Sequence, residues 1–173
     1  VIRVLARNTE AQDKLENFFS FLFQPILKVI QKLNENTVKG SKKNISRHYD
    51  LSNNFFKLFL DKRMMYSSAI YKTKSTTLEN AAAHKLDVIC KKLHLSKSDH
   101  VIEIGSGWGG FAIYAAKNYG CKVTTTTISI EQYNYTKNKI KAMGLSKQIK
   151  VLLKDYRLLN GKYDKLVSIE MIE

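Results

Sequence analysis

Acidic residues are scarce in this chain of 173 residues: 15 Asp and Glu stand against 29 Lys and Arg, a formal net charge of +14 with a pI near 9.7. That imbalance calls for an anionic partner, whether nucleic acid, an anionic bilayer or a phosphorylated substrate. Paired zinc ligands and RNP-type aromatic motifs are both missing, so nucleic acid has no support beyond charge. Cysteine is nearly absent too. Cys90 and Cys121 lack the spacing of a metal site or a disulfide framework, and are expected as small buried apolar residues in a reducing, cytoplasmic setting. No run approaches the ~20 apolar residues of a membrane span, and the N-terminus shows no signal-peptide pattern, so any membrane contact is expected to be peripheral.

What is present suits one main globular domain, with 44% hydrophobic residues. From Thr9 to Asn34 apolar residues recur at helical intervals, including Leu15, Phe18, Phe19, Leu22 and Phe23, then Ile26, Leu27, Ile30 and Leu33 beyond the single proline, Pro25. Two helices meeting near Pro25 are predicted. A pair packed on a neighbouring domain is the expectation, and a lipid-facing amphipathic element the alternative. Residues 39–47, K-G-S-K-K-N-I-S-R, form a basic connector. It reads as a solvated loop or as a phosphate-recognising patch, each basic residue contributing about 1 kcal/mol near an anionic bilayer.

An aromatic-dense stretch follows, in which Ser52 or Asn53 can cap a short helix holding Phe55, Phe56, Leu58 and Phe59. Thr76 with Glu79 three residues later makes a capping box for a longer helix running through His84 to Leu93. His84 and His94 have no partners at metal-ligand spacing, so solvent-facing or capping roles are expected and no metal site is assigned.

The rhythm then changes. Strands at 100–104, 122–127, 149–154 and 165–169 alternate with helices at about 109–118 and 131–143, which is α/β winding. The first strand runs into V-I-E-I-G-S-G-W-G-G, residues 101–110. Gly105, Gly107 and Gly110 fit G-x-G-x-x-G, giving a tight turn, close backbone approach to a ligand and close packing of helix on strand. The second strand, K-V-T-T-T-T, does not end in the acidic residue that would hold the ribose of a dinucleotide. NAD is therefore disfavoured and S-adenosylmethionine is the expected ligand, with Glu103 steering the turn. Ser129 and Gln132 form a second capping box beside the expected ribose site, and Asp155 ends the third strand where an adenine amino group can be read. Gly105, Thr127, Asp155 and Ile169 should face one crevice at the carboxyl ends of the strands.

Six ordered motifs now bear on the family: H-Y-D-L-S-N-N-F-F-K-L-F-L-D at 48–61, M-M-Y-S-S-A-I-Y at 64–71, E-I-G-S-G-W-G-G at 103–110, T-I-S-I-E-Q at 127–132, D-Y-R at 155–157 and V-S-I-E-M-I-E at 167–173. Through them nearly the whole chain resembles the cyclopropane-fatty-acyl-phospholipid synthases, together with the related mycolic acid cyclopropane synthases and fatty-acid methyltransferases. The resemblance implies a Rossmann-like S-adenosylmethionine-dependent methyltransferase sheet behind an N-terminal helical extension. The corresponding division is a helical and basic lead-in at 1–47, a helical segment capping substrate and cofactor at 48–98, and the cofactor-binding sheet at 99–173. It also implies transfer of a methylene group to the double bond of an unsaturated phospholipid acyl chain, by a peripheral enzyme at the cytoplasmic face of the membrane, and is compatible with a homodimer. Alternatives are fatty-acid C-methylation, amine N-methylation and a non-catalytic lipid- or nucleotide-binding remnant.

By this resemblance Tyr66 and Ser67 border the cofactor, and Glu103, Gly105, Ser106, Gly107, Trp108, Gly109 and Gly110 hold its amino-acid portion. Thr127, Ile128, Ser129 and Gln132 approach the ribose, while Asp155 and Tyr156 border the adenine. Tyr49, Tyr66 and Trp108 offer faces to a sulfonium or carbocation, or else pack in the core. A bound bicarbonate is implied as general base, held by Glu173 and the backbone at Ile169, with Ser68 where many members have cysteine. A histidine and a tyrosine that complete this pocket in the family lie beyond the motif ending at Glu173. The sequence begins with Val and its sheet ends after a fourth strand, so the chain is expected to be part of a longer protein, inactive or marginally folded alone.

Overall fold

Four short segments rich in β-branched residues pair into a single parallel sheet: β1 (His100–Ile104), β2 (Lys122–Thr127), β3 (Ile149–Leu153) and β4 (Lys165–Ser168), in the order β3-β2-β1-β4. The structure, a computed structural model, describes residues 53–171. The predicted helices of residues 9–34, the basic connector, Tyr49 and Glu173 lie outside the described residues. In register, Val101 sits between Val123 and Lys165, and Glu103 between Thr125 and Val167. β1 and β2 are buried along almost their whole length, as inner strands of a parallel sheet must be, whereas β3 and β4 are partly exposed edges.

Threonines replace the usual aliphatic run in β2. Their methyl groups suit the pleated interior, and three of the four hydroxyls find partners: Thr124 with His100 Nε2 at 2.8 Å, Thr126 donating to the Lys154 carbonyl, and Thr127 donating to Gln132 Oε1 at 2.9 Å.

Helices α2 (Leu78–Lys92), α3 (Gly110–Tyr119) and α4 (Ile130–Ala142) surround the sheet, preceded by a single turn, α1 (Asn53–Phe56). The main core joins Leu86 and Cys90 of α2, Val101 of β1, Phe111, Ala112 and Ala115 of α3, Val123 of β2 and Val167 of β4. Both cysteines are free and buried there. Burial pushes the Cys90 thiol up to about 12 and raises that of Cys121. A smaller cluster gathers Phe56, Met64 and Trp108.

The predicted short helix is only one turn: it ends at Phe56, and Leu58 beyond it is 82% exposed. α3 starts at Gly110, since Gly109 stands before it in the left-handed conformation at φ 80°. The capping box expected at Thr76 is displaced by one residue. Thr77 is the N-cap of α2 and accepts from Asn80 N at 3.3 Å, while Thr76 Oγ1 accepts from Thr73 N in the preceding turn. Thr77→Ala is expected to destabilise the chain by about 1 kcal/mol, and Thr76→Ala by less; urea denaturation of the two variants checks the order.

Candidate active site

All four strands are parallel, so their carboxyl ends share one edge, and the order reverses direction between β1 and β4. This switch point is where open α/β sheets receive ligands. The turn after β1 is fastened to β2: the Thr126 carbonyl accepts from both Gly105 N at 3.0 Å and Ser106 N at 2.8 Å. Ser106 spends its hydroxyl within the turn on the Gly107 carbonyl, which also accepts from Thr136 Oγ1 of α4. Gly107 lies at φ 49°, and a Cβ built on it would meet nothing within 4 Å. The turn therefore leaves an open cradle beside the N-terminus of α3, where unpaired N–H groups favour anionic ligand groups. Gly110 has a different reason from the one predicted: a side chain there would run into Met65 Sδ, so it admits the 61–71 segment rather than a strand.

Glu103 is 3% exposed, and its Oε2 has no hydrogen-bond partner; the hydroxyl of its cross-strand neighbour Thr125 is likewise unsatisfied. Burial pushes the Glu103 carboxyl up to about 8.

After β2, Thr127 Oγ1 accepts from Ser129 N at 3.1 Å while donating to Gln132 Oε1, and Ser129 Oγ accepts from Gln132 N at 3.3 Å. Ser129 caps α4 as expected, but the Gln132 side chain turns to Thr127 instead of back to the cap, so only half of the box forms. All three residues are buried, with Ile128 half-buried between them.

Asp155 is not an open acceptor for an adenine. Its Oδ1 takes bonds from Arg157 N at 2.9 Å and Nε at 3.0 Å, and Oδ2 takes one from Nη2 at 2.7 Å. The Arg157 guanidinium holds the Asp155 carboxyl below the usual range. A carboxylate offers about four lone-pair sites, so an adenine amino group would share what Arg157 leaves. Tyr156 beside it is exposed.

Trp108 takes the packing alternative. Its ring is 2% exposed, packed on Phe56 at 4.8 Å between centroids, with Nε1 donating to Asn53 Oδ1 at 2.7 Å. It is part of the packing. Tyr66, by contrast, is 57% exposed and meets Phe56 edge-on.

Ser67 accepts from Lys85 Nζ, and Ser68 Oγ donates to Glu170 Oε1 at 3.1 Å. Neither Lys85 nor Glu170 was picked out by the sequence. Glu170 lies at φ 48°, a left-handed conformation uncommon outside glycine, between half-buried Ile169 and Met171. Met171 packs against Gly105, so the chain leaving β4 crosses the glycine turn.

The geometry agrees with comparisons to known proteins. The family model described as mycolic acid cyclopropane synthetase matches residues 36–173. The chain belongs to this family. Among relatives, it is 42% identical over 131 residues to the probable fatty acid methyltransferase of Pseudomonas putida, covering 75% of this chain and 33% of that protein. It is also 42% identical over 126 residues to the cyclopropane-fatty-acyl-phospholipid synthase of Escherichia coli K12, covering 73% and 32%. The mycolic acid cyclopropane synthase CmaA1, solved in complex with SAH and CTAB, superposes with a TM-score of 0.71 at 32% identity, covering 74% of this chain and 45% of that one. The fold is that of the S-adenosylmethionine-dependent methyltransferases, and the chain spans about a third of the length of the curated relatives it matches.

Proposed function

We propose that this chain carries the cofactor crevice of an S-adenosylmethionine-dependent enzyme that adds a methylene group to the double bond of an unsaturated phospholipid acyl chain, closing a cyclopropane ring. The open cradle at Gly107, at the switch point of a parallel sheet in this family, supports the reading most directly. The residues present fit the cofactor: the open face of Gly107 would admit its amino-acid portion, the buried Thr127, Ser129 and Gln132 would shape the ribose side, and Tyr156 would border the adenine. Bound S-adenosylmethionine supplies an electrophilic methyl group. The protein's task is positioning in a dry cavity, since an alkene is a weak nucleophile and alignment can supply several kcal/mol. Tyr66, exposed at the edge of Phe56, offers an aromatic face to a sulfonium.

Bicarbonate fits the described residues poorly. An anion beside Ser68 would meet the Glu170 carboxylate that Ser68 already contacts, so no proton transfer is routed through it. The net charge of +14 favours action at an anionic membrane surface, at its cytoplasmic face. No helix among the described residues is long and apolar enough to cross a membrane.

The test is incubation of the protein carrying this chain with methyl-labelled S-adenosylmethionine and vesicles of monounsaturated phosphatidylethanolamine. Cyclopropanation is expected to add one CH2 to the acyl chain, with label retained, the double bond consumed and the headgroup unaltered. Label on the headgroup amine would instead mean N-methylation, and an acyl gain without ring closure would mean a methyl branch.

A further inference from the structure

Lys85 breaks the pattern of its own helix. The buried residues of α2 are Ala81, Ala82, Lys85, Leu86 and Cys90, a stripe that faces the interior at helical spacing with one lysine in its middle. Lys85 is 5% exposed. Burial lowers its ammonium from the ordinary lysine value, and the more distant Glu170 and Asp61 carboxylates oppose that shift without forming an ion pair among the described residues. Its hydrogen bond goes to the hydroxyl of Ser67. An ammonium in an apolar stripe is costly, and an aliphatic side chain would pack there at less expense in free energy. Core packing therefore does not account for a lysine at this position.

The partner explains it. Residues 61–71 have no helix or strand of their own, yet they carry Tyr66, Ser67 and Ser68 to the crevice. They are fixed partly by their own side chains and partly by α2. Asp61 Oδ1 accepts from Met65 N at 2.9 Å, Arg63 reaches the Glu79 carbonyl at 3.3 Å, and Ile70 N donates to the Ala81 carbonyl at 3.3 Å. Ala81 and Lys85 are one turn apart on the same face of α2, so the segment is held along that face at Ile70 and Ser67. Ser68, next in line, is tied to Glu170 beyond β4. Lys85 is thus the buried anchor of the segment that the proposed function sets against the cofactor.

We infer that Lys85 is a positioning residue: through Ser67 Oγ its buried side chain holds Tyr66 and Ser68 at the mouth of the crevice, at the expense of core stability. The inference rests on the cofactor reading of that crevice. Two quantities test it in the full-length protein that carries this chain: melting temperature, and affinity for S-adenosylhomocysteine by calorimetry. Lys85→Met is expected to melt at the same temperature as the parent or higher, yet to bind about tenfold more weakly, the loss of one charged hydrogen bond. Ser67→Ala should weaken binding in the same direction, Ser67→Thr should retain it, and Lys85→Met with Ser67→Ala should be no worse than Lys85→Met alone.

A lower melting temperature with intact affinity in Lys85→Met would make the lysine a structural residue and overturn the inference. Should Lys85→Met fail to fold, Lys85→Leu decides: parental affinity there overturns the inference, and weakened affinity at an unlowered melting temperature supports it. A folded parent that binds no cofactor would overturn the cofactor reading, and the inference with it, a result distinguishable from normal binding by parent and variants alike.

Discussion

Gly107→Val is expected to abolish S-adenosylmethionine binding, by at least 100-fold in affinity, in a chain that still folds. The two halves of this expectation have separate causes. At φ 49° a β-branched residue is strained, which costs about 1–3 kcal/mol. That is a real loss, but the new Cβ meets no protein atom within 4 Å, so no clash is added to the strain. The isopropyl group instead occupies the space that the turn keeps open beside the N-terminus of α3, and a ligand cannot approach the backbone through it. Calorimetry with S-adenosylmethionine, beside a circular dichroism melt, separates the effects. Gly107→Ala, with one methyl group in the same space, should fall between parent and valine variant. Parental affinity in a folded Gly107→Val chain would remove the turn from the binding site and leave the cofactor assignment resting on family membership.

How much of this was legible beforehand depends on how far apart the interacting residues are. The order of strands and helices was readable to within a residue or so, because β-branched runs, glycine punctuation and helical spacing are local signals. Ser129 as the α4 cap was readable too, since its bond to Gln132 N spans three residues. The Arg157 grip on Asp155 spans only two residues and was within reach, as D-Y-R places a fork-shaped donor beside the carboxylate. The rest needed the fold. For Trp108 the sequence leaves a ligand-facing ring and a core ring equally open, and Phe56, some fifty residues earlier, is what lies against it. Glu170 lies three residues before Glu173, the glutamate that the resemblance assigns, and only its left-handed backbone and its reach to Ser68 single it out. Lys85 was not singled out, and nothing in the sequence says that its ammonium meets the Ser67 hydroxyl.

Glu103 carries the second large effect, on stability rather than binding. Its carboxyl titrates at about 8 in the folded chain against an ordinary 4.5, so across that window the native state holds a proton that the unfolded state has released. Stability therefore falls as pH rises from about 4.5 and is fully reduced above about 8, by a total on the order of 5 kcal/mol at most. Against a typical total of about 5–15 kcal/mol this is enough to unfold a weak domain. The acid side is bounded by other groups. Asp87, Asp99 and Asp155 titrate below the usual carboxylate range, so their stabilisation is present above the unfolded values and lost as pH falls through their own. The chain should thus be most stable at about pH 4.5, well below its pI. Glu103→Gln, which cannot ionise, should flatten the decline between pH 5.5 and 8 in urea titrations and leave the variant more stable than the parent at pH 8. If the parent is equally stable at both pH values, the carboxylate must be ionised in the fold with its lone pairs satisfied, and the unpaired Oε2 must then be met by water bridging to the Thr125 hydroxyl.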